Sequence, residues 1–366
     1  MARGPKTRLG VLFGGRSGEH EVSVRSAASV IEALDPAEYE ISVIGITKAG
    51  RIASPQETRS MLPARLGDRI APCEILNGDG DHVHLLPVPS AGRRGGGHPD
   101  IVFPLLHGPY GEDGTIQGLL EIAGVPYIGC GVLASAVGMD KDVMKRLFVC
   151  AGLPVLPYRT FASAEIRNRP GEIRDELEAA FGYPMFSKPA NLGSSVGVRK
   201  IHGKEEFAEA VAFSAQFDRK IIVEKGIDAR ELECAILGND EPRASVVGEV
   251  IPTREFYDYD AKYVVPSRLD IPACISGEDA EQIRNIAVRA FQAIDGAGLS
   301  RVDFFMERAS GRIWLNEINT MPGFTPISMY AKLWDATGVP FAELIRRLVC
   351  LGLERSKERM AFRIAL

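Results

Sequence analysis

The chain has 366 residues, of which 45% are apolar and 25% charged, and its net charge at pH 7 is −5. This length allows two or three domains, and the composition is typical of a soluble globular protein. The negative charge argues against a nucleic-acid or anionic-membrane partner. The longest weakly polar stretch, 118–138, is interrupted by Glu121, Gly124 and Pro126, so we expect no membrane-spanning helix.

The six cysteines are scattered, and no two of them form a Cys-x-x-Cys pair. This spacing favours reduced thiols over a disulfide framework or a zinc ribbon. The first fifteen residues lack a basic start followed by a long apolar run, so we expect no secretory signal. A cytoplasmic location is therefore expected.

The chain begins with a predicted strand at 7–13, a glycine loop, a helix at 24–34 and a second strand at 39–46. Open α/β sheets bind ligands at such loops. A dinucleotide site is one interpretation, but the loop lacks Gly-x-Gly-x-x-Gly and no acidic residue ends the second strand. The loop carboxylates, Glu21 among them, suit a cationic substrate group, although helix capping would also explain them.

Residues 53–99 are rich in Pro, Gly and Asp and predict surface loops around a strand pair near Ile75 and 82–86. A buried parallel strand is then expected at 100–106. It delivers His107 and a glycine-dense turn to the carboxyl edge of the sheet. A histidine at the mouth of such a turn indicates a functional rather than a structural role.

Phosphate-binding features follow in the middle of the chain. Lys141 begins a predicted helix, and Lys188 ends the predicted strand at 184–188. The next segment, 191–198, reads Asn-Leu-Gly-Ser-Ser-Val-Gly-Val, and its glycines and serines suit a cover over a triphosphate. It is not a Walker A loop, because the Gly-Lys-Ser/Thr ending is missing. Either lysine alone would be taken for a surface residue.

A further predicted strand, 220–225, ends in Glu224-Lys225, and another opens near Glu231. A strand end with exposed backbone groups suits the edge of an adenine ring, and a carboxylate suits ribose hydroxyls. The segment 255–263 is too aromatic for an ordinary loop and lacks clear periodicity. It is either a loop packed on its own domain or part of a ligand site.

Two short strands are predicted at 298–304 and 313–319, with Gly311 at the turn. Alternation places Arg301 and Asp303 on one face of the first strand. In the second it places Glu317 with Asn319, and Trp314, Asn316 and Ile318 on the opposite face. Oxygen ligands on adjacent strands can hold Mg²⁺ together with substrate phosphates, and Arg301 could stabilise an anion. A hairpin with a solvated polar face is the alternative.

These motifs resemble a known family. Arg-Val-Asp followed by Asn-Glu-Ile-Asn-Thr-Met-Pro-Gly-Phe-Thr is similar to the metal-binding end of ATP-grasp enzymes, specifically the D-alanine:D-alanine ligases, and Glu-His-Glu-Val-Ser is similar to their N-terminal signature. The resemblance covers nearly the whole chain in order. It implies an α/β, three-domain ATP-grasp fold: a Rossmann-like parallel sheet in 1–139, a central α+β lid domain in 140–225 and a C-terminal α+β catalytic domain in 226–366.

The resemblance also implies an activity, the ATP-dependent joining of two D-alanines through an acyl phosphate in peptidoglycan precursor synthesis. It implies two Mg²⁺ or Mn²⁺ ions and a homodimer. Two other hypotheses remain. One is an ATP-grasp ligase with a different second substrate, and the other is a non-catalytic nucleotide-binding protein.

Roles for individual residues follow from the same resemblance. Glu21 would hold the ammonium of the first D-alanine in a hydrogen-bonded group with Ser194 and Tyr263, while Arg301 and the Gly323 N–H would stabilise the oxyanion. His107, Lys262, Ser328 and Met329 would contact substrate, Lys262 through the transferred phosphate. Phe324 departs from the family pattern within the substrate loop, and it would line the second site. Nucleotide binding is assigned to Lys141, Lys188, Ser195, Glu224, Lys225, Ile227 and Glu231, and metal binding to Asp303, Glu317 and Asn319.

Overall fold

The computed structural model describes residues 5–72, 76–78, 83–85, 99–251 and 268–362. Its strands form three main sheets and one short hairpin. The strands are β1 Thr7–Gly14, β2 Tyr39–Ile46, β3 Ile70–Pro72, β4 Leu76–Gly78, β5 Val83–Leu85, β6 Ile101–Pro104, β7 Tyr158–Ala162, β8 Met185–Pro189, β9 Arg199–Ile201, β10 Lys220–Lys225, β11 Ala229–Gly238, β12 Arg243–Ile251, β13 Arg268–Asp270, β14 Gly298–Glu307 and β15 Ile313–Asn319.

Helices connect these strands, and a 3-10 helix covers Ala64–Arg69. The α-helices are α1 His20–Ala33, α2 Pro55–Met61, α3 Thr115–Ile122, α4 Val132–Met139, α5 Lys141–Cys150, α6 Ser163–Asn168, α7 Pro170–Phe181, α8 Lys204–Ser214, α9 Gly277–Ala293, α10 Met329–Ala336 and α11 Phe341–Ala361. Within the described ranges, no helix is both long and apolar enough to cross a bilayer.

The first sheet is parallel and has the order β3-β2-β1-β6. Its central strand β1 is apolar on both faces, as expected for a parallel sheet covered by helices. Val11 packs with residues of α1 and α11, while Leu12 packs with α3 on the other face. Because all the strands run the same way, the loops after β1 and β6 lie at one carboxyl edge. This confirms the predicted Rossmann-like sheet and the position of its glycine loop.

The other two sheets are antiparallel. One has the order β7-β10-β8-β9 and packs against α6, α7 and α8. The other has the order β13-β12-β11-β14-β15, and one of its faces packs on α9 and α5. With these sheets the α/β, ATP-grasp fold class is confirmed.

The opposite face of the third sheet shares a core with the first sheet. Leu299 of β14 belongs to the same apolar cluster as Phe103 of β6 and Leu344 of α11. Burying this common face stabilises the two sheets together. The domain boundaries after residues 139 and 225 stay predictions. Helix α5 belongs to the predicted central domain but packs on the third sheet, and α11 packs on both the first and the third sheet.

Candidate active site

Three oxygen-bearing side chains converge on the hairpin of β14 and β15. Asp303 lies directly opposite Glu317 in the strand register, and Arg301 lies opposite Asn319. The Asn319 amide donates to Asp303 Oδ2 at 3.0 Å. All four side chains are partly buried, so the predicted arrangement of the four is present. Two carboxylates and an amide oxygen form a donor set suited to a hard cation.

The strand β15 departs from regular alternation. Asp303 pairs with Glu317 but Phe304 pairs with Leu315, so Asn316 is an extra residue in a bulge. The predicted grouping of Trp314, Asn316 and Ile318 on one face is therefore wrong. Leu315 and Ile318 are both buried, and the bulge turns Glu317 and Asn319 to the face that Asp303 occupies.

Arg301 is held by two carboxylates. Its guanidinium donates to both oxygens of Asp303 at 2.7 Å, and its Nε lies 2.9 Å from Glu233 Oε2. Burial alone would lower the pKa of Arg301, but Asp303 and Glu233 raise it well above its usual value. Glu233 was missed by the sequence analysis. It lies on β11, directly opposite Asp303 of β14.

Lys141 faces this site from the start of α5. Its Nζ donates to the Leu192 carbonyl at 2.8 Å and lies 3.4 Å from Glu317 Oε2. It therefore joins the predicted phosphate loop to the predicted metal ligands.

The predicted metal-ligand set, Asp303, Glu317 and Asn319, holds two carboxylates and one amide. Within the described ranges, no group of three or more His, Cys, Asp or Glu residues is arranged to hold a metal ion.

The loop at 191–198 is fixed at both ends. Asn191 donates from its backbone and its amide to Asp218 Oδ2, and the Gly197 carbonyl accepts from Ser214 Oγ at 2.7 Å. Between these anchors Ser194 and Ser195 have φ values of +52° and +58°, a conformation uncommon for residues with side chains. Such backbone strain is frequent at ligand-binding loops.

Lys188 lies beside Glu224 in the second sheet. Its Nζ is 2.6 Å from Glu224 Oε2, and the Nζ of Lys145, which the sequence analysis missed, is 3.0 Å from Glu224 Oε1. Burial would raise the pKa of Glu224, but the two lysines lower it to about 2. The Glu224 side chain thus points into an ion-pair cluster, which leaves only its backbone for the predicted adenine contact.

The remaining predicted nucleotide residues lie where β10 leads into β11. Lys225 donates its N–H to the Pro157 carbonyl at 2.9 Å. Lys225, Ile227 and Glu231 are each partly exposed. Their nucleotide contacts stay predictions.

The structure does not bring Glu21 to the site. Its side chain is 68% exposed and pairs with Lys48 at 2.7 Å. Glu19 occupies the predicted position instead, because Ser194 Oγ donates to Glu19 Oε1 at 2.7 Å. The two glutamates differ by two positions at the start of α1, which turns their side chains to opposite sides of the helix.

Helical periodicity is the signal that separates these two glutamates. Glu19 precedes the buried Ser23 and Ser26 by four and seven positions, whereas Glu21 shares its spacing with the exposed Arg25 and Glu32.

His107 is buried and both of its ring nitrogens have protein partners. Ser26 Oγ lies 3.2 Å from Nε2, and Nδ1 lies 3.0 Å from the Met321 carbonyl, which can only accept. Burial lowers the pKa of His107. Ser26 also accepts from the Phe324 N–H at 3.3 Å. His107 therefore fixes the 321–324 loop, and its predicted contact with a substrate carboxylate stays a prediction.

Another carboxyl that the sequence analysis missed lies after His107. Glu112 Oε1 accepts from the Gly108 N–H at 2.9 Å. Burial, with the nearby charge of Glu19, raises the pKa of Glu112 to about 8. Lys141 and Arg301 act in the opposite direction, which places Glu112 within electrostatic range of both cations.

The predicted second-substrate residues follow β15. Ser328 is the N-cap residue of α10, and its Oγ accepts from the Thr325 N–H at 3.1 Å. A Cβ on Gly323 would lie 3.4 Å from that oxygen. Met329 is buried at 8% exposure. Gly323 and Ser328 thus lie together, while Lys262 and Tyr263 lie outside the described residues.

The expectation that Phe324 lines the second site is wrong. Its side chain is 0% exposed, and its ring packs against Phe103 and Phe341 at centroid distances of 5.1 and 5.3 Å. It belongs to the core shared by the first and third sheets. A side chain enclosed in this way does not contact a substrate.

The three sheets, the two lysines beside the 191–198 loop and the oxygen-bearing side chains of β14 and β15 together define an ATP-grasp ligase. A family model described as D-ala D-ala ligase N-terminus matches residues 8–130, and one described as D-ala D-ala ligase C-terminus matches 147–350. The chain belongs to the D-alanine–D-alanine ligase family.

Individual relatives match over nearly their whole length. The D-alanine–D-alanine ligase of Heliobacterium modesticaldum is 49% identical over 365 residues, which is 97% of this chain and 96% of the relative. That of Acetivibrio thermocellus is 47% identical over 370 residues, 98% of each.

Two solved structures show the same fold. The D-alanine-D-alanine ligase from Coxiella burnetii has a TM-score of 0.80 and 36% identity, and covers 97% of this chain and 96% of its own. The VanG D-Ala:D-Ser ligase from Enterococcus faecalis has a TM-score of 0.79 and 35% identity, and covers 95% of this chain and 100% of its own.

Proposed function

We propose that this chain joins two D-alanines into D-alanyl-D-alanine while ATP is converted to ADP and phosphate, a reaction that supplies peptidoglycan precursors. The observation that carries this proposal is the arrangement of Asp303 opposite Glu317 with Arg301 and Lys141 beside them. Family membership supplies the substrates, and this geometry supplies the charges that a phosphoryl transfer between two anions requires.

The reaction follows from the poor electrophilicity of a carboxylate. A carboxylate oxygen of the first D-alanine attacks the γ-phosphorus, the bond to ADP breaks, and an acyl phosphate forms. The neutral amine of the second D-alanine attacks the acyl carbon, the bond from that carbon to the phosphate oxygen breaks, and the departing phosphate takes up the proton that the amine loses. Arg301 and the Gly323 N–H would stabilise the tetrahedral oxyanion. Exclusion of water protects the acyl phosphate from hydrolysis.

The metal ligands we propose are Asp303, Glu317 and Asn319, for two Mg²⁺ or Mn²⁺ ions. The donor set fits, because hard cations prefer carboxylate and amide oxygens together with substrate phosphates. When bound, the ions would neutralise the transferring phosphoryl oxygens. In the structure Arg301 and Asn319 occupy the Asp303 oxygens, so these side chains must share that carboxylate with a cation.

We propose that Glu19, rather than Glu21, binds the ammonium group of the first D-alanine. Its contact with Ser194 brings a carboxylate to the middle of the phosphate loop, and this carboxylate could pair with the ammonium of a substrate whose carboxyl group reacts. Ser328 beside Gly323 is proposed for the carboxylate of the second D-alanine, with Met329 next to it. Tyr263 and Lys262 are proposed from the family motif, with Tyr263 joining Ser194 and Lys262 contacting the transferred phosphate.

Nucleotide binding is proposed for residues of the second sheet, of α5 and of the start of β11. Lys141, Lys188 and Ser195 would contact phosphates, and Glu231 would accept from the ribose hydroxyls. The backbone at Glu224, Lys225 and Ile227 would bind the adenine edge.

A homodimer is also proposed. Ile122, Leu133 and Met360 are 76%, 60% and 74% exposed, and Arg359 next to Met360 is paired with Glu121 next to Ile122. Ile122 and Met360 therefore flank one contact between α3 and α11, where a second copy could cover them. Ile122→Lys should shift the mass measured by light scattering from two chains to one. We place the enzyme in the cytoplasm, where ATP is available.

The proposed activity is tested by phosphate release with ATP and Mg²⁺. D-alanine should support turnover and L-alanine should not. Asp303→Ala and Glu317→Ala should abolish Mg²⁺-dependent ADP formation while the fold stays intact, whereas Glu307→Gln, at the far end of β14, should leave it unchanged. Full activity in either alanine variant would refute the metal assignment.

The same assay separates the second-substrate alternatives. D-serine and D-lactate are offered with D-alanine, and the mixed products are separated by mass. A preference for D-serine over a second D-alanine would assign this chain to the activity that the VanG relative is named for. Tyr263→Phe should raise the use of D-lactate relative to D-alanine, and an unchanged ratio would remove Tyr263 from the site.

A further inference from the structure

Lys145 is a buried cation that connects three elements of the fold. Its side chain is 1% exposed and extends from the first turns of α5. Nζ lies 3.0 Å from Glu224 Oε1 on β10 and donates to the Asn316 carbonyl, in the bulge of β15, at 3.0 Å. It also lies 5.9 Å from the centre of the Tyr158 ring. A charge buried this completely is costly unless it is paired and hydrogen-bonded.

Glu224 has two counter-ions. Two ammonium groups, of Lys145 and Lys188, contact one carboxylate, each at a different oxygen. Their surroundings differ, because the Lys188 side chain is 14% exposed and that of Lys145 is enclosed. The cluster therefore contains one enclosed cation and one that is partly exposed.

This difference bears on how a nucleotide binds. A carboxylate with a single buried counter-ion holds it firmly, since separating the two would leave an unpaired charge. With Lys145 on Oε1, Lys188 can leave Oε2 without stranding Glu224. An incoming phosphate then offers Lys188 a second anionic partner.

We infer that Lys145 is a positioning residue for nucleotide binding: it remains on Glu224 so that Lys188 can move from Glu224 to a phosphate of ATP. This inference rests on the proposed phosphate role of Lys188. Lys145 itself does not touch the nucleotide and acts through the other two side chains.

The test uses Lys145→Met, which removes the charge and keeps an apolar chain of similar length. ADP and adenosine are each titrated against trinitrophenyl-ATP bound to the full-length protein with Mg²⁺, and displacement is followed by fluorescence. In the variant Lys188 stays on Glu224, so ADP should bind about tenfold more weakly. Adenosine has no phosphate and should bind as it does to the unmodified protein.

Two further variants sharpen the comparison. Arg146→Met removes a cation from the next position of α5, where the side chain is 67% exposed and paired with Asp142, and it should change neither titration. Lys145→Met combined with Glu224→Gln removes the carboxylate that detains Lys188. ADP affinity should return to within about twofold of the unmodified protein, even though the Asn316 carbonyl still lacks its donor and the melting temperature stays lowered.

Several results would overturn the inference. If ADP and adenosine bind equally more weakly to Lys145→Met, Lys145 shapes the adenine pocket. If ADP binding is not weakened, Lys188 can leave Glu224 without the help of Lys145. Failure of the double variant to recover ADP binding would equally reject it. If Lys145→Met does not fold, Lys145→Gln repeats the test.

The binding titrations need no D-alanine, so they fail or succeed separately from the ligase assay. Lys188→Met is included in them. Unchanged ADP binding in that variant would overturn the inference, while D-alanine-dependent phosphate release by the unmodified protein would still support the ligase.

Discussion

Ser194 Oγ donates a 2.7 Å hydrogen bond to Glu19 Oε1 and thereby joins two loops that are 175 positions apart in the chain. The other oxygen of Glu19 lies 3.0 Å from the place that a Cβ on Gly108 would take, and Gly108 has a φ of +75°. A side chain at Gly108 would therefore be strained and would push against the carboxylate. Glu19 lies where the β1 loop, the β6 loop and the phosphate loop meet.

We expect Glu19→Gln to lower kcat/KM for D-alanine by about a hundredfold, because an amide cannot pair with the substrate ammonium and holds Ser194 less strongly. Steady-state phosphate release at varied D-alanine measures this. Glu21→Gln is the matched control. Its carboxylate is exposed and pairs with Lys48, so the variant should retain full activity.

The reverse result, with Glu21→Gln inactive and Glu19→Gln active, would restore the assignment made from the sequence motif.

The sequence predicted the parallel sheet, the hairpin and the grouping of Asp303, Glu317 and Asn319, because these depend on period-two alternation and on local motifs. Strand β2 has the predicted bounds, 39–46. The assignment to Glu21 failed because a motif of two glutamates does not say which of them faces the protein. The phase of α1 decides this, and it is set by packing against β1.

Other features depend on contacts between distant segments. The bulge at Asn316 and the burial of Lys145 arise together, since the Asn316 carbonyl accepts from Lys145 across 171 positions. Phe324 follows a substrate-loop motif, but the aromatic rings that enclose it come from β6 and α11. Such long-range packing is not visible in local periodicity.

A second prediction concerns the carboxylates that hold Arg301. Glu233→Gln should lower kcat about tenfold with little change in KM for ATP, because it weakens the contact at Arg301 Nε and lets the guanidinium turn away from the oxyanion position. Arg301→Lys should lower kcat further, since lysine keeps the charge but cannot donate the two parallel hydrogen bonds to Asp303. A rise in KM with unchanged kcat in Glu233→Gln would contradict this role.

A third prediction tests the core position of Phe324. Phe324→Ala should lower the free energy of unfolding by about 3–5 kcal/mol, because it leaves a cavity among Phe103, Tyr330 and Phe341. Chemical denaturation measures the change. Phe324→Leu should cost less and should leave the ratio of D-alanine to D-serine use unaltered. A changed substrate ratio with unchanged stability would show that Phe324 lines the second site after all.

The last prediction is a pH dependence caused by Glu112. Its pKa is about 8 in the folded protein and near 4.5 in the unfolded chain, so the folded state keeps a proton that the unfolded state releases. The stability due to this proton is fully present below pH 4.5 and is lost as the pH rises towards 8. Glutamine stays neutral at every pH. Between pH 5 and about pH 9 the free energy of unfolding of Glu112→Gln should therefore rise by a few kcal/mol relative to that of the unmodified protein. Urea unfolding at several pH values measures both proteins. Parallel stability curves would mean that Glu112 is already ionised in the folded state, paired with Lys141 or Arg301.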